Sequence, residues 1–258
     1  MKKRTIIFIL LLFKVAANSQ TDSDRAEWAY TAFGGVQRST AAEQKRILQY
    51  NFGPLWARLT DNTTVLGYIG DDFQRMRLVI LSASKQPGHL DTYNVTGKSM
   101  VNGVVRSFTG TITITRTGTI PIEDDYKFAG VRRAGIAFGE YHFSEDKRLS
   151  NTGEFNGKFL TNWIVTRNGV LKYDEVMAGA DGYRNNQFAG TWTSYKTKTT
   201  KPASWGDSRI PISMGLDVGD GEFSPCEECI ARGWKNYHDA YFKQDKRAMI
   251  VESRRWWR

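Results

Sequence analysis

Residues 93–116 read YNVTGKSMVNGVVRSFTGTITITR, and this stretch predicts one long antiparallel hairpin. Its centre is Asn102-Gly103, a pair that a two-residue type I′ turn favours because both turn residues need φ > 0. One face of the hairpin then holds these pairs: Val101 with Val104, Ser99 with Arg106, Gly97 with Phe108, Val95 with Gly110, and Tyr93 with Ile112. That face is mostly apolar, and a slip of one residue would move it to the other side of the strands. The stretch therefore predicts a β structure in one specified register.

Alternation of apolar and polar residues continues on both sides of the hairpin. It predicts further strands at 64–69, 73–84, 136–143, 155–167, 170–177, 187–196 and 210–216. A second Asn-Gly pair, at Asn168-Gly169, predicts a hairpin with Ile164 opposite Tyr173. Roughly nine to ten strands joined by short turns are typical of a mainly β fold in which an antiparallel meander closes into a barrel or stacks as a sandwich.

The first residues have the pattern of an export signal. Residues 1–19 combine a basic start, an apolar run at 6–13 and small residues before a cleavage point, which predicts a signal peptide. The apolar run is too short to span a bilayer, and no later segment predicts a transmembrane helix. We therefore expect an exported protein, periplasmic or secreted.

Three further parts follow the signal. Residues 20–63 predict a helical segment that packs on the sheet, with a capping box at Thr40 and Glu43 and a helix that ends at Gly53-Pro54. Residues 64–217 form the predicted β domain. Residues 218–258 form an irregular C-terminal extension, with a helix expected at 233–244, an edge strand at 249–251 and a solvated basic-aromatic tail at 254–258.

The formal charge of +9 resides mostly at the two ends of the chain. Residues 1–19 carry four of the positive charges and residues 243–258 a net +4, which leaves the body near neutrality at about +1. Proteins that bind nucleic acid need a basic surface that follows the phosphates. The sequence therefore predicts no nucleic-acid partner.

The two cysteines, Cys226 and Cys229, are spaced C-x-x-C near the C-terminus. A redox-active pair would stand in a βαβ context, and a zinc site would need two more soft ligands. In an oxidising compartment such a pair favours a local disulfide, which is our prediction.

An acidic, glycine-rich stretch follows the predicted sheet. Asp217, Asp220 and Glu222 could hold a hard cation such as calcium, although Asp residues among glycines more often stabilise turns. We predict no other cofactor. Together with Asp207, the same carboxylates suggest the alternative function of a secreted hydrolase.

Tryptophans are the candidate ligand-binding residues. Trp163 and Trp192 are expected on strands, and Trp205 and Trp234 in loops, where their rings could line a site for a sugar or an apolar ligand. Glu140, His142 and Ser144 share one face of a strand, but residues two apart on a strand lie roughly 6.5–7 Å apart. Direct contacts between them are therefore not expected, and the sequence predicts no catalytic residue.

These observations lead to one function hypothesis and one alternative. The first is an exported, non-enzymatic β-barrel or sandwich module that binds a small ligand, a glycan or a protein partner. The alternative is the secreted hydrolase just described, with or without calcium.

Overall fold

A computed structural model describes residues 22–34, 36–59 and 65–258. The predicted signal peptide at 1–19 lies outside the described residues, as does Thr64, the predicted start of the first strand of the sheet. The helices are α1 (Asp22–Ala32), α2 (Ala41–Ile47), α3 (Gly53–Trp56), α4 (Asp124–Phe128), α5 (Lys235–Phe242) and α6 (Lys246–Ser253), with a 3₁₀ helix at Glu227–Arg232. The strands are β1 (Gln37–Arg38), β2 (Val65–Ile69), β3 (Gln74–Lys85), β4 (Thr92–Val101), β5 (Val104–Ile120), β6 (Val131–Glu145), β7 (Gly153–Thr166), β8 (Leu171–Tyr173), β9 (Asn185–Ser194) and β10 (Thr200–Asp207).

The ten strands belong to one antiparallel sheet that closes on itself. Around the ring the order is β2, β3, β4, β5, β6, β7, β9 and β10, and β10 pairs back onto β2. Strand β1 pairs with β5 and β8 with β7, both as additions to this ring. The predicted mainly β meander is confirmed, and of the two predicted arrangements it forms the barrel.

The central hairpin has the predicted register throughout. Gly97 pairs with Phe108 and Ser99 with Arg106, and the turn residues Asn102 and Gly103 have φ angles of 50° and 77°. These positive angles are what a type I′ turn requires. The fold-determining stretch was therefore predicted correctly.

The second Asn-Gly hairpin is one residue out of the predicted register. Trp163, rather than Ile164, lies opposite Tyr173. Of the two turn residues, only Gly169 takes a positive φ, at 79°, and the backbone N–H of Thr166 donates to the carbonyl of Val170 at 3.0 Å. These contacts define a three-residue loop with glycine in the left-handed position, a common alternative to the two-residue turn.

Other local predictions were also wrong. Residues 210–216 form turns rather than a strand, and the strand that closes the barrel is β10, which contains Pro202. Residues 249–251 lie inside α6 and form no edge strand. Gly53-Pro54 begins α3 instead of ending a helix, because proline fits the first turn of a helix, where its missing N–H has no partner to lose.

Aromatic rings fill the inside of the barrel. Phe108 stacks on Phe143 with ring centroids 4.7 Å apart, and Phe188 stacks on Trp205 at 4.9 Å. The segment α2–α3 closes one end, where Trp56 packs edge-on against other interior rings and the capping box at Thr40 starts α2 as predicted. The opposite end lies at the Asn102-Gly103 turn and is open. We call this open end the mouth.

The C-terminal segment packs on the outside of the barrel. Cys226 and Cys229 form the predicted disulfide, and α5 lies within the predicted helix. Arg254, Arg255 and Arg258 are exposed, as expected for a solvated tail, but Lys98 Nζ donates to the carbonyl of Trp257 at 2.6 Å, so the tail also contacts β4. No helix in the described part of the chain is long and apolar enough to cross a membrane.

Replacing Gly103 with valine should destabilise the hairpin. A β-branched residue resists the positive φ of 77° at this position, and we expect a loss of about 1–2 kcal/mol in the free energy of unfolding. Urea denaturation measures this loss. Asn102→Gly is the matched control, because glycine adopts positive φ readily, and it should unfold close to the parent midpoint. Equal midpoints for both variants would contradict the type I′ assignment.

Candidate functional site

The mouth of the barrel holds an open pocket of about 540 Å³. All eight strands of the ring contribute side chains to it: Ile69, Gln74, Ser99, Val101, Val104, Arg106, Glu145, Phe155, Trp192 and Lys201. They come together because each one lies near its strand's end at the mouth and points inward. We call this site the mouth pocket. Its volume is in the range of ordinary ligand sites, and barrel mouths are a frequent place for them.

Glu145 is the buried charged group of the mouth pocket. Only 6% of it is exposed, because it follows Tyr141 and Phe143 on the inward face of β6. Its carboxylate accepts three hydrogen bonds, from Ser99 Oγ at 2.6 Å, from the Gly153 backbone N–H at 2.9 Å and from Trp192 Nε1 at 3.2 Å. A carboxylate offers about four acceptor positions. One position therefore remains for a group that enters the pocket.

Arg106 brings a positive charge to the same pocket. Its Nη1 donates to the Val105 carbonyl at 3.0 Å and its Nη2 to the Ser150 carbonyl at 2.9 Å. Its Nε is buried and has no hydrogen-bond partner among the described residues. A buried donor without a partner costs free energy, and this one is closed to a ligand in the pocket. Arg106 can therefore donate to a ligand only through the remaining N–H groups of Nη1 and Nη2.

Charges around the mouth pocket balance. The lining includes two carboxylates, Asp72 and Glu145, and two cations, Arg106 and Lys201, and Arg232 outside the lining pairs with Asp72 at 3.3 Å. Donors and acceptors therefore converge with little net charge, which favours a neutral ligand with many hydrogen-bonding groups.

The four predicted tryptophans lie in different places. Trp192 lines the mouth pocket, whereas Trp163 and Trp205 are buried inside the barrel, and Trp234, in the C-terminal segment, is buried between that segment and β2. Trp205 lies on β10 rather than in a loop, and Trp234 immediately precedes α5. Ligand binding by these residues stays a prediction, and Trp192 is the one placed at the open end.

The predicted metal residues surround an arginine. Asp217 forms an ion pair with Arg209 at 2.8 Å, and Arg209 Nη2 also donates to the carbonyls of Gly219 and Asp220. The second oxygen of Asp217 accepts from two backbone N–H groups of its own loop, while Asp220 and Glu222 are exposed. Within the described residues no group of three or more His, Cys, Asp or Glu could hold a metal ion. Calcium and the hydrolase alternative stay predictions.

Asp207 lies apart from that loop, inside the barrel near the closed end. It accepts hydrogen bonds from Tyr173 Oη at 2.9 Å and from Asn186 Nδ2 at 3.0 Å. Burial, with the nearby Asp207 carboxylate as a second cause, raises the pKa of Tyr173 well above its usual range, so Tyr173 stays a donor. The cavity beside this network measures about 50 Å³, room for about one water molecule. We therefore assign it to the packing of the closed end.

His142 and Ser144 make the direct contact that strand spacing argued against. Ser144 Oγ lies 3.1 Å from His142 Nε2, and His142 Nδ1 lies 2.5 Å from Oδ1 of Asn156, across the β6–β7 pair. The imidazole ring is long enough to reach Ser144 with one nitrogen while its other nitrogen contacts Asn156 on β7. The expectation of no contact was wrong, and its error was to ignore the neighbouring strand.

Sequence reasoning missed Glu145 and Arg106 as site residues. One signal was present, since Ser99 and Arg106 are the polar pair on the otherwise apolar face of the central hairpin. Glu145 can be recognised as a site residue only from the closed ring, in which it continues the inward face of β6.

Comparison with known protein families, with curated proteins and with solved structures finds no match for this chain.

Proposed function

We propose that this protein is an exported binding module that holds a neutral saccharide in the mouth pocket. The observation that carries the proposal is Glu145, a buried carboxylate with an acceptor position left over at the floor of an open pocket. Sugars present adjacent hydroxyl groups, and a carboxylate is a strong acceptor for them.

The other lining residues fit the same ligand class. Arg106, Lys201 and Gln74 offer donors to ring and hydroxyl oxygens, and Trp192 and Phe155 offer apolar surface to the C–H faces of a sugar ring. The balance of two carboxylates and two cations argues against a strongly charged ligand. A neutral polyhydroxylated molecule uses all of these groups at once.

The filled interior argues against a long apolar ligand. Phe155, at the floor of the mouth pocket, packs against Trp205 with ring centroids 6.1 Å apart, and the stacked rings of the barrel continue below it. An alkyl chain would have to displace this core. Fatty acids are therefore poor candidates for the mouth pocket.

Export rests on two supports. Residues 1–19 have the pattern of a signal peptide. The Cys226–Cys229 disulfide is typical of oxidising compartments. Free saccharides and glycans are present outside the cell and in the periplasm, where an exported protein would meet them.

Glu145→Gln should weaken saccharide binding at least about tenfold. A hydrogen bond to a charged group contributes about 1.5–3 kcal/mol, and about 1.4 kcal/mol corresponds to a tenfold change in Kd. The test begins with a thermal-shift screen of the full chain against glucose, galactose, N-acetylglucosamine, cellobiose and a fatty acid. Titration calorimetry then measures Kd for the parent and the variant.

Glu140→Gln is the matched control, because it makes the same change on the outer face of the same strand. It should leave Kd unchanged. Lys201→Ala, at the rim, should weaken binding without loss of stability. A panel in which no neutral saccharide binds, or in which Glu145→Gln binds as tightly as the parent, would overturn the proposal.

A further inference from the structure

The outer face of the barrel carries a serine, a histidine and an asparagine in one hydrogen-bonded row. Ser144 and His142 are two residues apart on β6, and Asn156 lies directly opposite His142 on β7. The Oγ–Nε2 distance of 3.1 Å and the Nδ1–Oδ1 distance of 2.5 Å place both contacts within hydrogen-bonding reach. A nucleophile beside a base that a third group orients is the arrangement of nucleophilic catalysis.

Asn156 determines where the proton of the imidazole resides. Its Oδ1 is an acceptor, so the bond to Nδ1 requires a proton on Nδ1. The neutral ring then has its lone pair on Nε2, which faces Ser144 Oγ. His142 is thereby oriented as a general base for the hydroxyl of Ser144, as in triads that use Asn in place of Asp.

An open groove of about 700 Å³ runs along the same face, and its lining includes His142, Asn156 and Lys158. Both triad residues other than the nucleophile therefore border a space that can hold a small substrate. The neighbouring Tyr141 does not contribute its hydroxyl to this groove, because its side chain points into the barrel and its Oη is buried beside Gly157 and Gly190.

We propose that Ser144 is the nucleophile of a second site, on the outer face, that hydrolyses small carboxylic esters. This activity goes beyond saccharide binding and uses none of the residues of the mouth pocket. Ser144 and His142 act on the substrate, and Asn156 is a positioning residue.

The reaction proceeds in two balanced steps. Ser144 Oγ forms a bond to the ester carbonyl carbon while its proton moves to His142 Nε2, and the bond to the alcohol breaks as the alcohol takes that proton. A water molecule, deprotonated by the same nitrogen, then attacks the acyl group on Ser144. The carboxylic acid leaves, and the proton returns to the Ser144 oxygen.

Backbone N–H groups on this face are engaged in the ladders of β6 with β5 and β7. Negative charge on the carbonyl oxygen must therefore be stabilised by side chains. Lys158 and Arg25 supply positive charge along the groove, which Glu140 also lines. An exposed site with such donors suits activated esters better than amides.

The experiment uses the full chain with p-nitrophenyl acetate and with a fluorophosphonate probe. In the probe reaction the Ser144 oxygen displaces fluoride from phosphorus, and mass spectrometry locates the label. We expect one label per chain, on Ser144, and hydrolysis that Ser144→Ala abolishes. His142→Gln should lower the labelling rate about 100-fold, within the usual range for general-base catalysis.

Three further variants separate chemistry from structure. Ser107→Ala removes a different strand serine, which is exposed and has no histidine neighbour, and should react like the parent. Asn156→Leu should slow the reaction strongly, and Asn156→Asp should restore it, since Asp also accepts from Nδ1. Thermal unfolding of each variant checks that the fold is kept.

Absence of labelling at Ser144, or labelling that His142→Gln leaves unchanged, would overturn the proposal. Hydrolysis that persists in Ser144→Ala would also overturn it, because it would come from another group. Saccharide binding at the mouth is unaffected by any of these outcomes, so the two proposals fail separately.

Discussion

Replacing Gly97 with alanine is expected to lower the free energy of unfolding by about 3 kcal/mol, the upper end of the usual cost of overpacking. A Cβ at this position would lie 2.2 Å from Phe108 Cζ and 2.4 Å from the backbone oxygen of Val79. The ring could move only into the stacked core, and the backbone oxygen belongs to the β3–β4 ladder. Urea denaturation followed by tryptophan fluorescence measures the loss.

Gly179→Ala is the matched control for this variant. A Cβ at Gly179 meets no atom within 4 Å, and the residue is exposed. Its unfolding midpoint should stay near that of the parent. If Gly97→Ala were as stable as Gly179→Ala, the filled interior and the register of the central hairpin would both be wrong.

Glu252→Ala is expected to cost about 3–5 kcal/mol, because it leaves a buried positive charge without its partner. Arg75 on β3 and Glu252 on α6 are 8% and 9% exposed, and two N–O contacts of 2.8 and 2.6 Å join them. The Arg75 guanidinium also lies over the rings of Trp234 and Tyr237. Loss of Glu252 should therefore weaken the attachment of the whole C-terminal segment.

Chemical denaturation and limited proteolysis of Glu252→Ala test this expectation together. Cleavage should appear first after residue 217, before the barrel unfolds. Glu228→Ala removes an exposed carboxylate of the same segment and should behave like the parent. Equal stability of the two variants would show that the Arg75–Glu252 pair contributes nothing to this attachment.

The parts of the fold that sequence could predict are those in which local chemistry and the apolar pattern agree. Asn102-Gly103 has the turn chemistry, and the flanking residues alternate in the register that the turn demands. The capping box at Thr40 is another such case, because both of its hydrogen bonds are local. Each of these elements depends on neighbours in the chain.

The failures have a different cause, namely long-range structure. Asn168-Gly169 also has turn chemistry, but the inward packing of Trp163 and Tyr173 favours a three-residue loop. No strand was predicted at β10 because proline is rare inside a sheet, although the ring requires a strand between β9 and β2. Local pattern alone could not reveal either constraint.

The candidate sites also depend on long-range structure. Glu145 and Ser144 are consecutive in sequence, yet they face opposite sides of the barrel wall, because side chains alternate along a strand. Their partners, Ser99, Trp192 and Asn156, come from three other strands. Only the closed ring brings those partners within reach, so neither site could be derived from spacing along the chain.

The most direct test of saccharide binding at the mouth is a nuclear magnetic resonance titration that follows the indole and backbone N–H groups. The Trp192 resonance is identified by its absence in Trp192→Phe. The parent protein is titrated with the neutral saccharides named above. Trp192 Nε1 and the Gly153 amide both donate to Glu145, whereas Trp56 Nε1 donates to Thr161 at the closed end. We predict a saturable shift of the Trp192 and Gly153 signals with the Trp56 signal unchanged. A saccharide that saturates the protein without shifting the Trp192 and Gly153 signals would contradict saccharide binding at the mouth.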